Sequence, residues 1–106
     1  MKKNKKVART EKVHFEVLKT DIARGKQGDP SECAVARAIE RQGYQKVRVV
    51  FPTLTVSKGG IAYSGKIPTR TKTFISKFDG AETKDERVAL KPFRFEVLLT
   101  ETITAK

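Results

Sequence analysis

Hydrophobic and polar positions change their spacing several times along this chain, and each change marks an element. Val13, Phe15 and Val17 alternate with His14, Glu16 and Leu18, the period of two expected of a strand with one buried face. Thr20 and Asp21 offer a helix start before Ile22 and Ala23, and Gly25 ends it within one turn. A loop rich in Gly and Lys leads into GDPSECAVARAIERQGY, Gly28 to Tyr44. Its signals agree with one another. Asp29 suits an N-cap, Pro30 the first helical position where no N–H is needed, Glu32 a capping-box partner and Gly43 the stop. Val35, Ala38 and Ile39 then form an apolar face while Arg37, Glu40 and Arg41 point elsewhere, which predicts the main helix over Pro30–Gln42.

The period of two returns in KVRVVFP, with Val47, Val49 and Phe51 on one side and Pro52 as terminator. TLTVS continues it through Leu54 and Val56. Gly59 and Gly60 suit a hairpin turn, and IAYSGKIP returns as a further strand with Ile61 and Tyr63 on one side, completing an antiparallel meander. In TRTKTFISKFDG, Phe74, Ile75 and Phe78 stand at helical spacing after a Thr69 or Thr71 cap, and Gly80 ends a second helix over residues 70–79. AETKDER reads as a charged loop. The last pattern is a strand in which Phe93, Phe95, Val97 and Leu99 alternate with Arg94, Glu96 and Leu98.

These elements predict an α+β fold: an antiparallel sheet of about four or five strands, one main helix on a face and a shorter helix at an edge or on the same face. The expected core is Phe15, Val17, Val35, Ile39, Val49, Phe51, Leu54, Val56, Phe74, Phe95 and Val97. One echo refines the topology. HFEVLKT at residues 14–20 and RFEVLLT at residues 94–100 agree at five of seven positions. The intervening elements do not repeat, so the echo points to two strands with similar requirements, neighbours in one sheet, where Glu16 or Glu96 faces basic side chains. So few strands leave a sheet edge open, and edge pairing offers a route to a homodimer.

A chain of 106 residues suits one small domain. Its single cysteine, Cys33, closes no internal disulfide, and no Cys/His cluster offers a metal framework, which fits a reducing, intracellular setting. No apolar run follows the basic start, so neither a signal peptide nor a membrane span is expected.

Charge changes the picture more. The net charge is +11, and about half of it stands in the first twelve residues, where Lys2, Lys3, Lys5, Lys6, Arg9 and Lys12 face the lone acid Glu11. Residues 1–11 therefore read as a flexible basic arm and 12–106 as the folded domain.

Enzymatic chemistry finds no footing in the sequence. Cys33 would need a base, and the one histidine, His14, is assigned to the outward side of a strand; the two remain a geometrically possible pair, but a space-filling cysteine is favoured, since Asp29 and Glu32 oppose a thiolate. GKQGDP lacks the Lys-Ser/Thr ending of a phosphate-binding loop. Asp79, Glu82, Asp85 and Glu86 lack regular ligand spacing and alternate with Lys84 and Arg87, as in a solvated loop. No catalytic residue, metal or cofactor is assigned.

Binding asks only for a surface. Lys58, Lys66, Arg70, Lys72 and Lys77 are interleaved with Thr69, Thr71, Thr73 and Ser76, near Tyr63. Such a segment neutralises and hydrogen-bonds phosphates, and the tyrosine could stack on a base. Together with Lys2, Lys3, Lys5 and Lys6 these residues form the candidate interface for DNA or RNA.

TDIARGKQGDPSECAVARAI, followed by FISKFDG and KPFRFEV, resembles a group of short phage and prophage open reading frames sharing a strand, a "DI..G..GDP..C.VA.A" segment and a closing "PF.F" strand. The similarity covers most of the chain outside the basic arm. Relatives often carry proline after the cysteine, where this chain has Ala34. The resemblance implies a viral or prophage origin and no catalytic residue. The sequence thus points to a small non-enzymatic accessory protein binding nucleic acid through a basic, phosphate-contacting surface. Two alternatives share the same charge: an inhibitor or modulator of a host enzyme or anti-phage defence complex, and a protein capturing a small anionic nucleotide between protomers.

Overall fold

A computed structural model describes residues 9–102. Its elements run β1 (Thr10–Val17), α1 (Lys19–Arg24), α2 (Ala34–Arg41), β2 (Gln45–Val50), β3 (Thr53–Lys58), β4 (Ile61–Lys66), α3 (Thr69–Gly80), α4 (Lys84–Val88) and β5 (Phe93–Glu101). The fold is α+β, with one five-stranded antiparallel sheet in the order β1-β5-β4-β3-β2. Among the described residues no helix is long and apolar enough to cross a membrane.

The two echoing segments are indeed neighbours. β1 pairs antiparallel with β5, Phe15 lies opposite Phe95, and the outward residues pair by charge: His14 opposite Glu96 and Glu16 opposite Arg94. β2, β3 and β4 form the meander, turned at Gly59 and Gly60, whose φ angles of 60° and 81° are those a tight hairpin requires and other residues resist. The meander and the β1–β5 ribbon meet in only two paired positions, Tyr63 with Glu101 and Ser64 with Thr100. Gly65 lets them approach closely there: a Cβ on it would lie 2.6 Å from the Leu98 carbonyl oxygen.

Alternation along the strands leaves one sheet face covered and the other open. Phe15, Val17, Val47, Val49, Leu54, Val56, Phe95, Val97 and Leu99 are buried against α2 and α3, joined by Ile22, Val35, Ile39, Ile67, Phe74 and Phe78. In α2 the alanines Ala34, Ala36 and Ala38 are wholly buried, the small contact surface that lets a helix lie close to a sheet. Aromatic rings run in one chain of contacts from Tyr44 through Phe15, Phe95, Phe93 and Phe74 to Phe78, with centroids 4.7–6.1 Å apart.

Four expectations need correction. α2 begins at Ala34, not Pro30, because Cys33 is its N-cap and the Asp29 carboxylate instead accepts the N–H groups of Ser31 and Glu32 in a preceding turn; at 8 residues the expected main helix is therefore shorter than α3, which has 12. AETKDER contains α4: the Thr83 hydroxyl accepts the Glu86 N–H, and the Glu86 carboxylate accepts the Glu82 N–H. Phe51 is 44% exposed, since β2 ends at Val50 and the turn to β3, which holds a cis Phe51–Pro52 peptide, takes it out of the alternation. Thr10 and Glu11, assigned to the basic arm, are residues of β1; the rest of that expectation, over residues 1–8, lies outside the described residues.

Both sheet edges are partly occupied by the α2 segment. Arg41 and Gln42 donate to the Glu16 carbonyl and Gln42 accepts the Glu16 N–H on β1, while the Pro30 carbonyl accepts the Val49 N–H on β2. Such occupation blunts edge-to-edge association.

Candidate nucleic-acid interface

The basic segment singled out by the sequence divides in three. Lys58 ends β3 and places its ammonium 4.8 Å from the Tyr44 ring. Lys72 lies on the flank of α3 facing the β2–β3 turn, its ammonium 5.1 Å from the Phe51 ring. Lys66, Arg70 and Lys77 are exposed elsewhere and line grooves. Lys58 and Lys66 stand at opposite ends of the β3–β4 hairpin, roughly 17 Å apart at about 3.4 Å per residue. Tyr63 lies opposite Val56 and packs half-buried against the core, so its ring is turned to the covered face. Lys2, Lys3, Lys5 and Lys6 lie outside the described residues.

Helical geometry explains this split. In α3 the buried positions are Thr71, Phe74 and Phe78. Arg70, Thr73 and Lys77, at spacings of three and four, share one flank, whereas Lys72 is two positions from Arg70 and so about 200° around the axis.

Two grooves meet at Arg70. One, of about 650 Å³, runs between that flank of α3 and the connection from α4 to β5, with Lys77 and Lys91 on its sides and Phe74, Leu90 and Phe93 among its lining. The other, of about 410 Å³, lies on the open side of the sheet between Arg70, Arg94, Pro68, His14 and Glu96. Beyond it a groove of about 490 Å³ continues between β4 and β5, past Lys66, Ser64, Leu98 and Thr100. Lys91, Arg94 and Phe93 were not among the sequence candidates. KPFRFEV shows their charges, but only the topology brings them beside Arg70.

Most of these cations are uncommitted to ion pairs among the described residues, a state they share with other basic residues such as Lys19, Arg37, Arg48 and Lys84. Among the described residues, ion pairs engage Lys12 and His14 with Glu96, Lys26 with Glu32, Arg41 with Asp21 and Arg94 with Glu16. None engages Lys66, Arg70, Lys77 or Lys91. The one carboxylate lining the open-side groove, Glu96, is 2.8 Å from the His14 ring and 4.0 Å from the Lys12 ammonium, so its charge is already partly offset. A chain of unneutralised cations around one corner attracts polyanions and adds little to the stability of the fold.

Cys33 and His14 are far apart in role. His14 is exposed on the open face, bonded to Glu96, whereas Cys33 is buried at the N-cap of α2 on the covered side. Burial pushes the Cys33 thiol pKa up; the N–H groups of Ala36 and Val35 pull it down, and the charges of Asp79 and Asp29 push it up again. The pairing considered from sequence has no geometric basis. Together, fold and surface define a small α+β domain carrying a cationic corner. No family model, curated protein or solved structure matches the chain.

Proposed function

We propose that this chain is a small accessory protein of phage or prophage origin that binds nucleic acid through phosphate contacts from Lys66, Arg70, Lys77, Lys91 and Arg94, without catalysing a reaction. The origin rests on the resemblance of its GDPSECAVARAI and KPFRFEV segments to phage open reading frames. The observation that carries the binding reading is Arg70, which lines both the open-side groove with Arg94 and the α3-side groove with Lys77 and Lys91. One strand of phosphates can follow this line around the corner. Hydroxyl groups of Thr73 and Ser64 along the same grooves are suited to hydrogen-bond phosphate oxygens.

The test is a titration of Lys66→Ala/Arg70→Ala/Lys77→Ala against the parent protein, using labelled DNA and RNA of unrelated sequence at several salt concentrations. Phosphate contacts carry no base information, so affinity falls for all sequences alike. Each lost contact flattens the slope of log affinity against log salt by roughly 0.7–0.9. Absence of binding by the parent near physiological salt refutes the reading.

A protein partner is the second reading, favoured by Val50 and Phe51, adjacent residues 48% and 44% exposed beside the α2 N-terminal turn. Two adjacent exposed apolar side chains offer a small contact surface that a protein partner could cover. A host protein that copurifies after nuclease treatment and is released by Phe51→Ser would support it.

A further inference from the structure

The α3-side groove is more than a row of charges, and its second property narrows the ligand. Between Arg70 and Lys77 on one side and Lys91 on the other, its lining includes the apolar surfaces of Phe74, Leu90 and Phe93. Phe93 is only partly buried. Its ring packs on Phe74 and Phe95, with centroids 4.7 and 5.9 Å away, so an aromatic side chain is fixed in place in the groove these cations line.

We infer that this groove receives an unpaired base, and that the nucleic acid the protein binds is single-stranded. The inference rests on the nucleic-acid reading proposed above and specifies its ligand. A duplex keeps its bases stacked inside and offers this wall only sugar and phosphate, leaving the apolar floor wet. A single strand presents phosphates to the rim and a free base face to the floor, and every base has such a face, so the contact tolerates any sequence. Arg70 and Lys77 are two helical turns apart, about 10.5 Å along α3, so the two can hold different phosphates of one strand on either side of the apolar lining. The three cations that rim the groove have no carboxylate partner among the described residues. Their charge is complementary to such a strand.

The experiment compares short labelled single-stranded oligonucleotides of mixed sequence with the duplex of the same sequence by fluorescence anisotropy. It uses the full chain and two variants, each checked by thermal melting. Phe93→Leu keeps apolar packing against Phe74 and Phe95 but removes the ring face. Ala89→Glu places a carboxylate at the groove from an exposed position, without touching the core. The expected result is tighter binding of the single strand, a loss of roughly five-fold or more in Phe93→Leu, and a further loss in Ala89→Glu that shrinks as salt rises. Duplex binding equal to or tighter than single-strand binding overturns the inference while leaving the nucleic-acid reading intact. Single-strand affinity unchanged in both variants does the same, and so does a nucleoside monophosphate that binds as tightly as the oligonucleotide. Failure of the parent protein to bind either form removes the reading and the inference with it.

Discussion

Asp21 is the acid whose loss the fold should feel most. Its side chain is 6% exposed, and its two oxygens take three donors: Oδ2 lies 3.0 Å from Arg41 Nη2 and 2.8 Å from the Leu18 N–H, and Oδ1 lies 3.4 Å from Arg41 Nε. Arg41 Nη2 also donates to the Glu16 carbonyl at 2.8 Å, so one charge pair ties the start of α1, the end of α2 and the edge of β1. Removing one partner of a buried pair costs about 3–5 kcal/mol. Here the Arg41 side chain remains 39% exposed, so water takes up part of its freed charge and Asp21→Ala belongs at the low end of that range, about 3 kcal/mol with the lost helix-start bond included.

For a domain of this size each kcal/mol moves the midpoint by about 4–8 °C, so Asp21→Ala should melt more than 10 °C early and shift the urea midpoint to match. Asp21→Asn keeps an acceptor for the Leu18 N–H and should lose about half as much. Arg41→Ala strands a buried carboxylate and should cost at least as much as Asp21→Ala. In a double-mutant cycle the two losses should overlap, because each alone already breaks the pair. A cost below about 1 kcal/mol for Asp21→Ala, or strict additivity with Arg41→Ala, would refute the view that this pair ties the three elements.

Gly65→Ala should destabilise by about 1–3 kcal/mol in denaturant titration, because its Cβ would meet the Leu98 carbonyl and Val97 Cγ2, both at 2.6 Å; Gly80→Ala, with nothing within 4 Å, should be neutral or slightly stabilising. Cys33 should resist thiol reagents in the folded protein and react once unfolded. Since folding raises its pKa, the native state holds the proton more tightly, so this contribution to stability is intact below the unfolded thiol's pKa and declines as pH rises through and above it; Cys33→Ala should remove that alkaline decline, seen as urea midpoints against pH. Lys72→Ala should leave nucleic-acid affinity nearly unchanged, because its ammonium lies over Phe51, whereas Arg70→Ala should weaken it more than any other single substitution of a groove cation.

The sheet was legible where local pattern and pairing agree. The shared FEVL of residues 15–18 and 95–98 announced two strands of one environment, and their register sets Phe15 against Phe95 with acids facing bases on the outer side. Alternation and paired glycines located the meander. Helix starts were less readable: Asp29 and Pro30 carry every mark of a helix N-terminus, yet they build a turn whose Pro30 carbonyl occupies the β2 edge, and the helix starts at Ala34 after its Cys33 N-cap. Tertiary demand at a sheet edge overrode the local signal. For α4 the signal was present and passed over, since Thr83 and Glu86 stand at capping-box spacing within a run of charges. Lys46, at φ 51° where the β2–β3 register shifts, carries no mark in the sequence.

The candidate interface was legible in composition and not in arrangement, and the reason lies in how each element turns its side chains. Counting basic residues between 58 and 77 treats the chain as a line, but a hairpin sends Lys58 and Lys66 to opposite ends, and a helix turns Arg70 and Lys72 to opposite sides. What assembles a continuous charged path is the corner where β4 hands over to α3. Lys66 is the last residue of β4 and Arg70 the second of α3, and β5 begins beside them. Lys91 and Arg94 flank the start of β5 at Phe93, which is why a segment read only as a terminal strand completes the grooves. The aromatic platform follows from the same register: the alternation that sends Arg94 to the open face leaves Phe93 on the covered one, packed on Phe74 of α3, in the groove that Lys77 and Lys91 also line. The "PF.F" pattern thus supplies core packing and part of the binding surface at once. Substitutions there must therefore be judged by whether they spare the packing of Phe93 on Phe74 while altering what Phe93 presents to the groove.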